Sequence, residues 1–548
     1  MHASRPCLVV RLSLFLALAL AEDEGGGFVS PPVDYSAASF DMAAAAHQGE
    51  RTLPLGVPSA AVCDAMVSEA VAWASCNGLL MRRADDTASF DHAPFSLVPA
   101  EFPAGQLELA TELAPLFGTL VDRIADDVPW LTRTLQGTAD SDDFTRRLLK
   151  LCARVQREGA TQGARLAVLR SDYMLHDAED GGEARLLQVE LNTIAASFGC
   201  LSTRVSELHT HLAQRFASLR RQLWLGAGKP SRLRLDETLP PNSALAGIAE
   251  GLARAHAAYG VAEAAVLFVV QPDERNGLDQ ELLRQRLWSE HGVRVISRTL
   301  LQLAQEGKLE GRKRRLRLGP DEVAVAYLRA GYSPDDHPTN RHWDARLLLE
   351  RSHAVKAPCI EHQLVGCKKV QQQLSQPGEL ERFVSAEEAE RLRAVFAGLW
   401  SLSGADSPDA AAAPEEHAAA MHMRLARERP DGYVMKPQRE GGGHNFFGDE
   451  LRAALESMTR EQRSAFILMQ RIFPRAEAAV LVRGAAPRVG PAVSELGVYS
   501  TYLRAHSGRV LLNRATGHLV RTKLLGTDEG GVAAGFAVLS SPVAVRGC

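Results

Sequence analysis

The chain has 548 residues, 46% of them apolar and 23% charged, with a formal net charge of −4. That length exceeds what one hydrophobic core usually serves, so two or more domains of a soluble globular protein are expected. A charge this close to balance gives no electrostatic case for a nucleic-acid partner, although a locally basic pocket for acidic substrates is compatible with it.

Eight cysteines (Cys7, Cys63, Cys76, Cys152, Cys200, Cys359, Cys367, Cys548) are scattered, without C-x-x-C or Cys/His ligand spacing. They read as reduced structural thiols, and a zinc site is not expected. At the start, Arg5 and Arg11 precede a run from Leu12 to Ala21 that is apolar but for Ser13 and ends Ala19-Leu20-Ala21 before Glu22-Asp23-Glu24. That is the layout of a secretory signal peptide, too short to cross a membrane as a helix. An organelle-targeting leader or a misassigned start codon are the alternatives for residues 1–21. Residues 22–53 are rich in Gly, Ala, Ser and Pro and read as a flexible extension. No other stretch approaches a membrane span.

From 54 to 80 the apolar residues Val62, Met66, Ala70 and Trp73 fall at helical spacing. Leu109, Leu113, Leu116, Leu120 and Ile124 repeat it within a helical region over 107–135, and 143–158 continues as helix. The period then changes. Residues 166–170 and 185–192 read as strands, the second alternating Leu187, Val189 and Leu191 with Gln188, Glu190 and Asn192. Such a polar face is either the solvated side of a sheet or the floor of a site.

A helix over 247–259, a strand over 264–270, a helix over 280–290 and strands over 293–296 and 322–328 follow. This β-α-β order predicts a parallel, three-layer unit. Its ligands would gather at the carboxyl ends of the strands, where Glu274, Arg275, Asn276 and the run Arg329-Ala330-Gly331-Tyr332 lie. Helices are expected over 347–356 and 368–374, and a mobile connection over the low-complexity stretch 403–420. Beyond it come a helix over 449–458, a strand over 466–470 and β segments over 480–484, 498–503, 510–513 and 519–523. Residues 528–535, Asp-Glu-Gly-Gly-Val-Ala-Ala-Gly, are small enough to form a lid.

The stretch 432–449 organises the rest. A short apolar strand (Tyr433, Val434, Met435) delivers Lys436, breaks at Pro437, and leads through Gln438 and Arg439 to Glu440 and three glycines, Gly441, Gly442 and Gly443. Consecutive glycines accept positive φ and bring bare N–H groups close to a ligand, a cradle that suits phosphate oxygens. A surface turn with scattered charges is the plainer alternative. No G-x-x-x-x-G-K-[ST] is present, so an ordinary P-loop is not the explanation. Glu190, Asn192, Glu440 and Glu495 are oxygen ligands of the kind Mg²⁺ takes together with substrate phosphates. Lys368, Lys436 and Lys523 are candidate phosphate contacts, while Arg170, Arg329 and Arg521 can clamp carboxylates bidentately.

These residues sit in long motifs: Lys436-Pro-Gln-Arg-Glu-Gly-Gly-Gly443, Gln188-Val-Glu-Leu-Asn-Thr-Ile194, Arg170-Ser-Asp-Tyr-Met174, Ser494-Glu-Leu-Gly497, Arg521-Thr-Lys523, Leu347-Leu-Leu-Glu-Arg-Ser-His353 and Lys368-Lys-Val-Gln-Gln372. In these motifs and their order the chain resembles eukaryotic-type glutathione synthetases, over about residues 54–542. The resemblance implies an α/β (α+β) ATP-grasp fold with an inserted Rossmann-like, parallel-sheet substrate domain. The implied parts are 54–262, a substrate domain over 263–366, and 367–548. It further implies ATP- and Mg²⁺-dependent joining of γ-glutamylcysteine to glycine, a homodimer, and a cytosolic enzyme with neither nucleic-acid nor membrane partner.

By the same resemblance Arg170, Lys436 and Arg521 are catalytic, and Glu190, Asn192 and Glu440 hold magnesium. The nucleotide site takes Glu190, Lys368, Lys436, Pro437, Gln438, Arg439, Glu440, Gly441, Gly442, Gly443, His444, Asn445, Phe447, Met469, Gln470, Arg471, Ile472, Glu495, Lys523 and Glu529. The peptide substrates are surrounded by Arg170, Ile194, Ala195, Ala196, Ser197, Glu274, Arg275, Asn276, Gln280, Arg329, Ala330, Gly331, Tyr332, Arg521, Val532 and Ala533. The chain departs from the pattern at Ala195 (usually serine), Ala330 (aspartate), Phe447 (tyrosine), Gln470 (an acid) and Glu529 (aspartate). A lost neutral hydrogen bond costs about 1 kcal/mol, so weaker affinity with retained activity is expected. The chemistry implied is phosphorylation of the dipeptide carboxylate by ATP, then attack by glycine's amine, with 441–443 and 528–535 as water-excluding lids. A catalytically silent relative that binds nucleotide or thiol peptide is the alternative of a different class.

Overall fold

The computed structural model describes residues 60–83, 85–86, 88–159, 161–177, 184–216, 239–404, 406, 412–438, 444–527, 530–533 and 535–545, all within the unit Pro54–Cys548. The expected leader and extension lie outside them, as do Arg439, Glu440, Gly441, Gly442, Gly443, Asp528 and Glu529.

Helix α1 (Ala60–Cys76) leads into four short strands, β1 (Leu80–Arg82), β2 (Phe90–His92), β3 (Phe95–Ser96) and β4 (Ala100–Pro103). The helical region expected over 107–135 is two helices, α2 (Ala104–Asp126) and α3 (Val128–Ser141), followed by α4 (Asp143–Glu158). The break has a local cause. Asp127 leaves helical geometry and its carboxylate accepts from Trp130 N at 3.0 Å, while Pro129 has no N–H to continue the ladder. Asp142 caps α4 in the same way, through Thr145 N at 2.8 Å.

Strands β5 (Arg165–His176) and β6 (Arg185–Asn192) pair antiparallel, and helices α5 (Gly199–Arg215) and α6 (Ala244–Tyr259) follow. Along β5 the side chains alternate between two cores. Leu166 and Val168 pack on the side of α1, α5 and α6, whereas Ala167 and Leu169 pack on the side of α2, α3 and α4. One sheet therefore divides the helices into two layers.

The parallel unit forms as its pattern predicts, with two additions. Strand β7 (Ala265–Val269), helix α7 (Gly277–His291), strand β8 (Val295–Arg298), helix α8 (Leu300–Glu306), a hairpin β9 (Gly307–Glu310) and β10 (Arg315–Leu318), strand β11 (Asp321–Leu328), helix α9 (Asn340–Arg351) and strand β12 (Val355–Ala357) follow in order. Strands β8, β7, β11 and β12 are parallel neighbours, and β12 joins β5 through Lys356 and Arg165. The hairpin is antiparallel and extends the edge beside β11; its charged outer face hid it from periodicity. The helix expected over 347–356 stops at Arg351, because Val355, Lys356 and Ala357 are buried in strand pairing with β11.

Helices α10 (Ile360–Val365), α11 (Lys368–Leu374) and α12 (Ala386–Arg393) precede a second, smaller layer. There β13 (Leu399–Ser401), helix α13 (Pro414–Glu428), β14 (Tyr433–Pro437), α14 (Gly448–Ser457), α15 (Arg460–Arg463) and β15 (Phe466–Gln470) build a three-stranded antiparallel sheet, order β13-β15-β14, backed by α13 and α14. The mobile connection expected over 403–420 is corrected in its second half. Residues from Pro414 are helix, and Ala419, Ala420, Met423 and Ala426 are buried. Proline at the first turn, Glu415 and Glu416 beside the helix N-terminus and an alanine-rich sequence all favour that helix.

The four β segments expected near the end are three long strands, β16 (Glu477–Arg483), β17 (Ala486–Arg504) and β18 (Val510–Leu524), with the short β19 (Val538–Ser540) and β20 (Pro542–Val545) after them. The large sheet runs β16-β3-β19-β18-β17-β5 and continues into the parallel strands. Strand β18 passes Gly517 at φ +147°, where the Ala244 backbone N lies 2.4 Å from where a Cβ would stand. Only glycine fits there.

Candidate active site

A cavity of about 540 Å³ is lined by both sheets: β5, β6, β17 and β18 on one side, β14 and β15 on the other. Its floor begins with an irregularity in β6. The register with β5 shifts between Asp172 and Tyr173, leaving Val189 out of the ladder. Bulges of this kind re-aim groups beside active sites. Here the Val189 carbonyl accepts from Lys436 Nζ at 3.1 Å, and Glu190 and Asn192 both face the cavity.

The charges on this floor hold one another. Lys368 Nζ lies 3.1 Å from Glu190 Oε2. Asp172, fully buried, accepts from Arg170 Nε and Nη2 at 2.6 and 2.8 Å, from Arg521 Nη2 at 3.0 Å and from Asn192 Nδ2 at 2.9 Å. Arg521 also pairs with Glu495. Arg170 does clamp a carboxylate bidentately, and that carboxylate is Asp172. Its fork is committed to Asp172, and its Nη1 donates to the Ser197 carbonyl at 3.2 Å. Gly497, opposite Asp172 on β17, makes room for this frame. A Cβ there would lie 2.7 Å from Asp172 Oδ1 and 2.8 Å from Arg170 Cδ.

Burial pushes the Glu190 pKa up, but Lys368, Lys436 and Arg521 outweigh it and hold the carboxyl below the usual carboxylate range. Burial, helped by Asp172 and Glu190, lifts Glu495 above that range against the pull of Arg521. Burial also lowers the Lys436 pKa, more than Glu190 raises it. The floor is thus charged, largely buried and preorganised, as electrostatic stabilisation of a developing charge requires.

Toward the parallel unit the wall is the loop after β6. Ala195 (φ +50°) and Phe198 (φ +69°) both occupy the left-handed region, which is costly for residues with a Cβ and typical of functional loops. Asp279 on α7 anchors the loop's end, accepting from Phe198 N, Cys200 N and Leu201 N at 3.0, 2.8 and 3.1 Å. Glu274 accepts from Asn276 N and Gln280 Nε2. Asn276, 3% exposed, leaves both its amide atoms without a partner, as does Arg329 at Nε. Unpaired buried polar atoms of this kind in a cavity wall call for a ligand. Arg275 Nη1 donates to the Ala533 carbonyl at 2.8 Å, tying residues 530–533 to this wall.

The opposite end is an apolar slot. Val434, Phe447, Met469, Ile472 and Val493 line it, with the Arg471 guanidinium 5.4 Å over the Phe447 ring. Beside it, Gln438 Oε1 accepts from Lys369 N at 2.7 Å, and burial brings the Lys369 amine down to about 8.

Among the residues expected from sequence, Arg170, Glu190, Asn192, Ile194, Ala195, Ser197, Glu274, Asn276, Arg329, Tyr332, Lys436, Asn445, Phe447, Met469, Gln470, Arg471, Ile472, Glu495, Arg521, Lys523 and Ala533 line this one cavity. Lys368, Arg275 and Gln280 stand behind it and hold lining groups. Ala196, Ala330 and Val532 are buried within the wall. Gly331, at φ +96°, donates its N–H to Asp336, whose other oxygen accepts from Gln271, itself bonded to the Tyr332 hydroxyl. Pro437, Gln438 and His444 are outside the lining, His444 being exposed. Sequence reading missed Asp172, Val189, Phe198 and the rim residues Phe473, Pro474 and Leu525. Asp172 had a signal: two residues from Arg170 on a strand, it shares that residue's face.

A family model for the eukaryotic glutathione synthase ATP-binding domain matches residues 60–544. The chain is 41% identical over 487 residues to the chloroplastic glutathione synthetase of Solanum lycopersicum, covering 87% of this chain and 83% of that one. It is 41% identical over 475 residues to the glutathione synthetase of Xenopus laevis (85% and 94%) and 39% identical over 489 residues to that of Homo sapiens (88% and 97%). In fold it is similar to a glutathione synthetase-like effector from Globodera pallida in its apo form, with TM-score 0.69 and 24% identity over 90% of this chain and all of that one. With a family model spanning nearly all the described residues, the chain belongs to the eukaryotic glutathione synthase family.

Proposed function

We propose that this cavity joins γ-glutamylcysteine to glycine at the expense of ATP, giving glutathione, ADP and phosphate. Membership of the family makes the chain an ATP-dependent ligase of glutathione synthesis. The observation that carries the assignment of parts is that one cavity joins an apolar slot to a buried cationic floor and then to a wall of unpaired polar atoms. The slot suits a nucleobase, the floor a triphosphate, and the wall a peptide.

A carboxylate is a poor electrophile at neutral pH. Its oxygen attacks the γ-phosphorus, ADP leaves, and the resulting acyl phosphate is attacked by glycine's amine, which expels phosphate. Lys436, Lys368 and Arg521 offset the charge spread over the transferring group. Asp172 fixes Arg170 and Arg521 so that little reorganisation accompanies the reaction. Residues 530–533, held by Arg275, keep water from the acyl phosphate.

Glu190 and Asn192 offer hard oxygen donors, and the Asn192 amide hydrogens are spent on Asp172 and the Arg170 carbonyl, which turns its oxygen away from them. That pair fits a Mg²⁺ ion that takes its remaining ligands from phosphates and water; among the described residues no cluster of three or more His, Cys, Asp or Glu offers a metal cage. Bound there, Mg²⁺ would neutralise phosphate charge. Glu440 is assigned to the same ion by resemblance.

No helix among the described residues is long and apolar enough to cross a membrane. We assign the enzyme to the cytosol or a plastid-like compartment, where ATP and the dipeptide are at hand, and to a homodimer. Mature protein in the medium beginning near Glu22 would contradict the first assignment, and a monomer by light scattering the second. The test of the activity is a coupled ATPase assay. ADP formation that requires γ-glutamylcysteine and glycine together supports ligation, whereas nucleotide binding without turnover supports a silent relative.

A further inference from the structure

Gln470 is pinned in one orientation at the apolar slot. Its main-chain N donates to the Gly398 carbonyl at 2.8 Å, and its side-chain Oε1 accepts from Gly398 N at 3.1 Å. Turning the amide over would set N–H against N–H, so the hydrogen-bond pattern decides which end is which. Nε2 is the end left over, and no described residue accepts from it. Gln470 lines the cavity between Met469 and Arg471. Its free end therefore carries donors only.

The geometry points to Gln470 as a residue that sets purine selection, and to a site that accepts 6-oxopurine triphosphates as well as ATP. This rests on the nucleotide reading of the slot. The 6-amino group of adenine is a donor and gains nothing from a donor-only side chain, although the ring nitrogens of adenine can accept from it. The 6-oxo group of hypoxanthine is an acceptor and matches it. A carboxylate at 470 would keep the Gly398 bond through one oxygen and turn a second, acceptor oxygen to the base. It would favour the 6-amino group and leave a 6-oxo group facing like polarity, a mismatch that costs at least as much as a lost hydrogen bond. Glutamine and glutamate thus differ here in the atom offered to the base and in charge, and the charge acts on both nucleotides alike.

The experiment compares kcat/KM for ATP and for inosine triphosphate, using the full chain, γ-glutamylcysteine, glycine and excess Mg²⁺. Wild type should use the two nucleotides within about tenfold of each other, and Gln470→Glu should shift the ratio toward ATP by about tenfold or more. Gln470→Ala, which removes both the clasp and the donor, separates selection from support: a merely structural role lowers both nucleotides alike in both variants. A wild-type preference for ATP beyond tenfold, or a ratio unchanged in Gln470→Glu, overturns the inference. Failure of ATP itself to support turnover would instead overturn the nucleotide reading.

Discussion

The two sides of the cavity are built on different principles. On the floor, β5, β6, β17 and β18 carry charges that bind one another. Asp172 alone holds two arginines and Asn192, and every member is nearly inaccessible or walled by another. Across the slot, β14 and β15 contribute Val434, Met469 and a few single contacts, backed by their own small core, and only Lys436 at the end of β14 reaches into the floor's charges. Low dielectric makes a satisfied network rigid and an unsatisfied one expensive. Changes to the floor should therefore be severe and coupled to stability, and changes to the slot graded and confined to affinity.

The largest effect is expected from Asp172→Asn. It leaves Arg170 without a countercharge and Arg521 with Glu495 alone, a loss of about 3–5 kcal/mol for a broken buried pair. We expect a matching fall in denaturation midpoint and a turnover loss of about 100-fold or more. Normal turnover in a folded variant would show that the frame is scaffolding only. Gly497→Ala should come next: its methyl meets Asp172 and Arg170 below 3.0 Å, so about 1–3 kcal/mol of overpacking is expected. Its kcat should fall with little change in the affinity for nucleotide.

Acid separates the regions differently. Burial lowers His209, His337 and His518 from 6.5 to about 4. Between those values the unfolded chain binds more protons, so stability falls as pH drops from about 7 to 4, by up to about 1.4 kcal/mol per pH unit per histidine. Glu190, whose folded pKa is depressed, keeps its contribution above the ordinary carboxylate range and loses it only further into acid. Stability measured by urea titration at pH 7, 5.5 and 4.5 should decline in step with histidine protonation. A flat profile would mean that these side chains are not held neutral. The smallest effect belongs to the slot: Phe447→Tyr should change KM for ATP less than tenfold in either direction and leave the unfolding midpoint unmoved.

Legibility from sequence follows the same division. Alternation in 185–192 and the β-α-β order placed the floor strand and the parallel unit, because period and element order survive tertiary context. Motif resemblance then collected residues from β5, β6, β14, β15, β17 and β18 that no local pattern joins. The bulge at Val189 was not legible, since one extra residue leaves no mark in composition. Nor were the left-handed Ala195 and Phe198, which break the propensity that would have announced a turn. The partner of Arg170 was not legible for a related reason. A guanidinium that can clamp a ligand can equally clamp Asp172 two residues on, and only geometry decides between them.

The proposed step is transfer of a phosphoryl group to the dipeptide's carboxylate on the charged floor. It is tested most directly by labelling that carboxylate with ¹⁸O and following the label through one round of ligation. One ¹⁸O should appear in each phosphate released, because the oxygen that attacks the γ-phosphorus leaves with it when glycine's amine displaces the phosphate. Phosphate free of label, with peptide still being formed, would contradict the account.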